Sequence, residues 1–386
     1  MMVMNGLDQW LNASEAYRDR KIALIVNQTS VTSEMKYSWD VLKKYGCVKR
    51  IFTPEHGLFA VEQDQIPVDR QPGGMELVSL YGKGFASLMP ERRWLEDIDL
   101  AVFDIQDIGC RYYTYVNTLM LIMECLDRSD IEMLILDRPN PLGGNMVEGS
   151  DLEPELRSFV GILPAPVCHG CTAGELALFY RDLKGIECSI DVVEMQGWKR
   201  SMRFEETGQT WVPPSPNMPT IRTATVYPGT CLFEGVNISE GRGTTTPFEL
   251  IGAPFIQAER WGRAMEAVRL PGISFRPVYF KPTFHKHSQN VCGGLYLHVN
   301  DRVSYKPFHT GLALVKTLFE LYPDQAEFLH QVYEFEDIPA FDLLCGSAWY
   351  RSAIEGNIPL AKLFKRVESA SLGWENTRKP YLIYEP

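Results

Sequence analysis

From residue 21 to about 195, short apolar runs alternate with helix-length amphipathic segments. KIALIVNQ (21–28), KRIFTPEH (49–56), LAVFDIQD (100–107), EMLILDRP (132–139) and CSIDVVEM (188–195) are almost continuously apolar, which predicts strands covered on both faces, as in a parallel sheet. SWDVLKKYG (38–46) and YVNTLMLIMECLDRS (115–129) predict helices, the second with Leu119, Ile122, Met123 and Leu126 at helical spacing. This βαβ succession predicts an α/β fold with a doubly wound, mostly parallel sheet. Prolines crowd WVPPSPNMPT (211–220), where no regular element can persist, and the domain boundary is placed there, dividing the chain into 1–218 and 219–386. In the second part YPGTCLF (227–233) and VCGGLYLHV (291–299) predict strands. TGLALVKTLFELY (310–322), DQAEFLHQVYEF (324–335) and PLAKLFKRVESA (359–370) predict helices, so a smaller α+β domain is expected.

Composition narrows the function. The 386 residues include 38 Lys+Arg against 49 Asp+Glu, a net charge of −11, which disfavours nucleic acid or an anionic membrane surface as partner. Nine cysteines, mostly inside apolar stretches, read as reduced core thiols. That usage, with no signal-like segment in MMVMNGLDQW, points to the cytoplasm, or to the periplasm or outside if an export signal was removed. Cys168 and Cys171 form a C-x-x-C, but no second pair follows at zinc spacing.

The polar residues gather where the early strands end. Asn27-Gln28-Thr29, Pro54-Glu55-His56-Gly57, Asp104-Ile105-Gln106-Asp107 and Asp137-Arg138-Pro139-Asn140 would share one edge of a parallel sheet, and the four clusters are expected to converge on one ligand cleft. The first βα turn, NQTSVTSEM, has no glycine, so neither a dinucleotide fingerprint nor a P-loop can form, and no nucleotide cofactor is expected. Glu55, in a rigid turn between Phe52 and Phe59, is the first candidate general acid; a solvated turn glutamate is the alternative. Glu175 is the second carboxylate, although Thr172-x-x-Glu175 before an apolar helix is also a capping-box signature. Asp104 and Gln106 would share one strand face with Asp107 pointing away, and Asp104 could equally anchor a loop. Arg111, Arg138 and Arg242 could hold an anionic group, with pairing to Asp107, Asp137 or Glu240 as the structural alternative. Tyr112, Tyr113 and Tyr115 offer flat faces for sugar rings. No spacing matches a zinc signature, so no metal is expected.

The ordered strings NQT (27–29), PEHG (54–57), SLYG (79–82), FDIQDIGCRYYTY (103–115), LDRPNPLGG (136–144), HGCTAGELA (169–177), WVPPSPNMPT (211–220), YPG (227–229), SEGRGTTTPFE (239–249) and RKPYLIY (378–384) span nearly the whole chain. In them the sequence resembles the exo-β-N-acetylmuramidase family, the NamZ-like glycoside hydrolases once catalogued as a domain of unknown function. The resemblance implies a Rossmann-like catalytic domain, a smaller C-terminal domain closing the cleft, and release of terminal non-reducing N-acetylmuramic acid from β-1,4-linked peptidoglycan fragments. It makes Glu55 and Glu175 the preferred catalytic pair. Asn27, Gln28, His56, Asp104, Gln106, Asp107, Arg111, Tyr112, Arg138, Asn140, His169, Asn217, Glu240 and Arg242 are the candidate substrate-binding residues, and a muropeptide or peptidoglycan-derived oligosaccharide is the expected substrate. A sugar-binding receptor without catalysis and a metal-dependent hydrolase built on Glu55, His56 and Asp104 are the alternatives. Stereochemistry and oligomeric state are not legible from the chain.

Overall fold

A computed structural model describes residues 2–12, 17, 19–44, 47–61, 76–82 and 84–386. The first layer system comprises α1 (Gly6–Asn12), β1 (Lys21–Val26), α2 (Ser38–Leu42), β2 (Cys47–Thr53), β3 (Glu76–Ser79), β4 (Leu100–Asp104), α3 (Thr114–Leu126), β5 (Glu132–Leu136), α4 (Ala173–Lys184) and β6 (Ile190–Val193). Its six strands are all parallel in the order β3-β2-β1-β4-β5-β6. Alternate residues of each strand feed opposite faces. Ile22, Leu24 and Val26 pack with Trp10 and Trp39 on one side, while Ala23 and Ile25 face α3 and the larger core on the other. The five expected strands are present, but β1, β2 and β5 stop before their polar clusters and β4 keeps only Asp104 of its own. The remaining cluster residues are in loops, and the strand-face assignment of Gln106 and Asp107 does not apply. The short half-buried edge strand β3 had no comparable apolar run. Residues 45 and 46 of the expected helix lie outside the described residues.

The smaller unit holds α5 (Ile221–Thr230), β7 (Leu250–Ala253), α6 (Ala258–Val268), β8 (Ile273–Phe280), β9 (Cys292–Val299), α7 (Pro307–Leu321), α8 (Ala340–Cys345), α9 (Trp349–Glu355) and α10 (Leu360–Arg378). Its antiparallel sheet runs β7-β9-β8. Two expectations fail here. YPGTCLF is helical, not a strand: Thr220 caps α5 by accepting from Thr223 N at 3.1 Å, and the chain runs on as a 3₁₀ turn to Gly235. Residues 324–335 form no helix, because their backbone groups bond to the 235–237 segment (Leu329 N to Gly235 O, 2.9 Å; Asn237 N to Glu327 O, 3.0 Å) instead of four residues back.

Helices α5 and α7 cross where Gly229 meets Gly311, so closely that a Cβ on Gly229 would lie 2.1 Å from Pro307 O. The end of α10 and the residues after it return to the first sheet. Trp374 Nε1 donates to His169 O (2.8 Å), Arg378 Nη1 to Gly144 O (2.8 Å), Ile383 N to Glu175 Oε1 (3.0 Å) and Tyr384 OH to Asp137 Oδ2 (2.6 Å). Among the described residues no helix is long and apolar enough to cross a membrane.

Candidate active site

The four clusters do not meet in one cavity. Gln28 Nε2 donates to Pro213 O and Tyr115 OH to Pro214 O (2.6 Å), so the proline-rich segment stands as a wall along the sheet edge. On one side Thr29, Gln106 and Arg138 line a crevice with Asn5, Phe204 and Val212, beside β1 and β4 where the strand order reverses. On the other side Glu55, His56, Tyr112, Tyr113, Ser215 and Asn217 face Tyr227, Glu234, Arg242, Tyr333 and Glu334 of the smaller unit.

Glu55 sits just past β2 in a turn closed by Gly57 N to Pro54 O (3.1 Å), with His56 and Gly57 both at left-handed φ (67° and 74°). The turn directs the carboxylate toward α3, whose first residue, Thr114, donates Oγ1 to Glu55 Oε2 at 2.8 Å. The side chain is 11% exposed, and His56 Nε2 lies 3.9 Å from Oε1. Tyr81 OH donates to Glu334 Oε2 at 3.0 Å. Burial and the nearby charges of Glu334 and Glu55 push that phenol far above its ordinary pKa. Glu234 accepts from Arg242 Nη2 and from Tyr333 OH, each at 2.5 Å. Burial alone would lower the Arg242 pKa, but Glu234 and Glu240 more than offset it, and the guanidinium stays charged against the Phe248 ring. Behind it, buried Glu240 contacts His285 Nδ1 (3.1 Å) and Lys286 Nζ (3.0 Å); although burial opposes it, the Lys286 charge, the His285 hydrogen bond and Arg242 hold its pKa well below the carboxylate range.

Other expected site residues are structural. Glu175 is fully buried in the capping box with Thr172 (Thr172 N to Glu175 Oε2, 3.0 Å), pairs with Arg200 Nη1 at 2.5 Å, and lines neither crevice. Arg111 is fully buried and donates to the carbonyls of Ser150, Ala165 and Leu344 at 2.7, 2.7 and 3.0 Å, which removes it from any sugar carboxylate. Asp104 is buried on Arg138 Nε at 2.6 Å, and desolvation raises its pKa despite that partner. Gln106 spends its amide on Asp107 O and Pro139 O (2.7 and 2.8 Å), Asp107 accepts from Gly109 N at 2.6 Å, and Asn140 donates to Cys171 O at 3.0 Å. Asn27 Oδ1 accepts from Thr29, and buried His169 Nδ1 accepts from Cys171 N (3.2 Å). Tyr112 reaches the cavity but ties its hydroxyl to Pro228 O, and Glu240 acts behind Arg242.

The sequence reading overlooked Glu234, Glu334, Tyr227 and Tyr333. Tyr227 falls in the stretch misread as a strand and Glu234 directly after it, while Tyr333 and Glu334 fall in the stretch misread as a helix. Among the described residues no three His, Cys, Asp or Glu side chains gather as metal ligands.

A Rossmann-like sheet and a smaller antiparallel unit, with a carboxylate- and tyrosine-lined cavity between them, define a two-unit α/β protein with a ligand-sized cleft. Family models of the exo-β-N-acetylmuramidase NamZ match here, the N-terminal one over residues 22–222 and the C-terminal one over 225–384. The chain is 41% identical to the peptidoglycan β-N-acetylmuramidase NamZ of Bacillus subtilis (strain 168), across 99% of this chain and 91% of that protein. Crystal structures of two DUF1343 family proteins from Bacteroides fragilis NCTC 9343 superpose with TM-scores of 0.90 and 0.78 at 29% and 27% identity, each covering 100% of this chain and 99% of the other. The chain belongs to the exo-β-N-acetylmuramidase NamZ family.

Proposed function

We propose that the Glu55 cavity, between domains divided near residue 218, is where this exo-β-N-acetylmuramidase cleaves terminal non-reducing N-acetylmuramic acid from β-1,4-linked peptidoglycan fragments. The observation that carries the assignment is Glu55 itself: a nearly buried carboxyl, oriented by Thr114, in a cavity lined by tyrosines from both domains. Glycosidic bonds break when a carboxylic acid protonates the leaving oxygen and a second carboxylate supports the sugar cation or its water, so Glu55 is the proton donor. Tyr113, Tyr227 and Tyr333 give the sugar rings apolar faces. Arg242 is the arginine at the cavity wall, and the lactyl carboxylate that distinguishes muramic acid from N-acetylglucosamine meets it there.

Glu55→Gln keeps the shape and the Thr114 contact but has no proton to give. Turnover of a muramic-acid-terminated disaccharide, followed by mass as free N-acetylmuramic acid, is expected to fall ~10²–10⁴-fold with binding nearly unchanged. Undiminished turnover would remove Glu55 from the mechanism. In the same assay Arg242→Ala is expected to raise KM for the muramic substrate and so narrow its preference over the N-acetylglucosamine analogue; an unchanged preference means another group reads the carboxylate.

A further inference from the structure

Opposite Glu55, the smaller domain enters the cavity through one hairpin turn, Tyr333-Glu334-Phe335-Glu336. Tyr333 and Glu336 bond reciprocally through their backbones (Tyr333 N to Glu336 O, 3.0 Å; Glu336 N to Tyr333 O, 2.9 Å), leaving a two-residue loop. Both loop residues have positive φ, 45° at Glu334 and 74° at Phe335. That is the φ pattern of a type I′ turn, whose centre is ordinarily Asn-Gly or Asp-Gly because a Cβ is strained there. Glutamate and phenylalanine are poor choices for the backbone, so what holds them must come from their side chains. Phe335 packs its ring 5.5 Å from that of Tyr81 in the first domain, and Tyr81 OH donates to Glu334 Oε2 at 3.0 Å. Tyr333, entering the same turn, donates its hydroxyl to Glu234. The strained turn therefore fixes one carboxylate, Glu334, across the cavity from Glu55, and a tyrosine from the other domain locks it.

On the reading that Glu55 is the acid, we infer that Glu334 is the second catalytic carboxylate, acting as general base on the hydrolytic water. Glu55 gives its proton to the glycosidic oxygen as the C1–O bond breaks, and the bonding pair leaves with that oxygen. Glu334 takes a proton from the water whose oxygen bonds C1, and exchange with solvent restores both carboxyls. A base and a nucleophile would both face C1 from the side opposite the acid, and the anomer released first tells them apart: a base gives inversion.

Glu334→Gln preserves an acceptor for Tyr81, so a structural role predicts little change, whereas a base predicts a ~10²–10⁴-fold lower kcat at unchanged melting temperature, with the acidic limb of the kcat profile lost. The parent enzyme should release N-acetylmuramic acid first as the α-anomer, and a β first product, which a nucleophile would give, overturns the base role; Glu334→Ala with added azide should recover turnover as the α-glycosyl azide. A β-azide would overturn the base role, and an active Glu334→Gln enzyme would overturn any catalytic role. Glu55→Gln measured alongside separates the two ideas. If Glu55→Gln is inactive and Glu334→Gln active, only this inference falls; if Glu55→Gln is active, the site assignment falls first.

Discussion

Glu175 shows how one residue can satisfy a sequence pattern and miss the chemistry attached to it. It caps α4, but it also neutralises Arg200, which is itself buried and bonded to the carbonyls of Gly144 and Gly170. Glutamine would still cap, so the capping box alone predicts a silent substitution. The ion pair reverses that expectation. Glu175→Gln leaves a buried guanidinium without its counter-charge, a loss of about 3–5 kcal/mol, and urea unfolding should show it while the folded fraction retains full kcat. A catalytic Glu175 would give the opposite result: a stable, inactive protein. Asp137 is a second residue whose burial can be read in solution. Desolvation raises its pKa to about 6 in spite of hydrogen bonds from Tyr384 OH and Gly174 N. The folded state therefore holds this proton more tightly than the unfolded chain, whose aspartates titrate near ~3.9. The stability it contributes is complete below pH ~4 and is lost as pH rises through about 6, about 2–3 kcal/mol in all. Asp137→Asn has no such proton, so its unfolding free energy relative to the parent should rise by that amount between pH 4 and 6. A difference independent of pH would mean that Asp137 ionises normally.

Individual elements were legible where burial is simple. The parallel strands read correctly because both faces are covered, and their apolar runs leave few alternatives. YPGTCLF misled because its aromatic and β-branched residues suit a strand, whereas tertiary contact sets the outcome: Pro228 contributes its carbonyl to Tyr112 OH, and Gly229 lets α5 touch α7. That crossing is testable. Gly229→Ala would drive a Cβ into Pro307 O at 2.1 Å, a backbone atom that cannot swing aside, and overpacking of this kind costs ~1–3 kcal/mol or more. A melting temperature equal to the parent's would show that the helices can part without loss. Glu55 was legible because a rigid turn directly after a parallel strand limits where its side chain can go. Glu334 was not, because Glu-Phe carries no local signal for a hairpin turn, and its contact with Tyr81 spans 253 positions in sequence.

Across the whole molecule, the two sides of the cavity are far apart in the chain, with Glu55 and Thr114 on one and Glu234, Arg242 and Glu334 on the other. The first sheet also depends on late residues. Asp137 and Glu175, which secure the ends of β5 and α4, find partners in Tyr384 and Ile383, while Arg378 and Trp374 close over the carbonyls of Gly144, His169 and Gly170. Synthesis proceeds from the other end. A nascent chain that has emerged through residue 218 possesses every strand of the parallel sheet, yet its buried acids and carbonyls still await groups from residues 374–384. Loop closure over such separations is slow, so the Rossmann-like half is expected to stay open until residues 374–384 have been made. The cavity likewise is complete only once Glu334 has followed Glu55 out of the ribosome, so the order of synthesis itself sets when activity can appear.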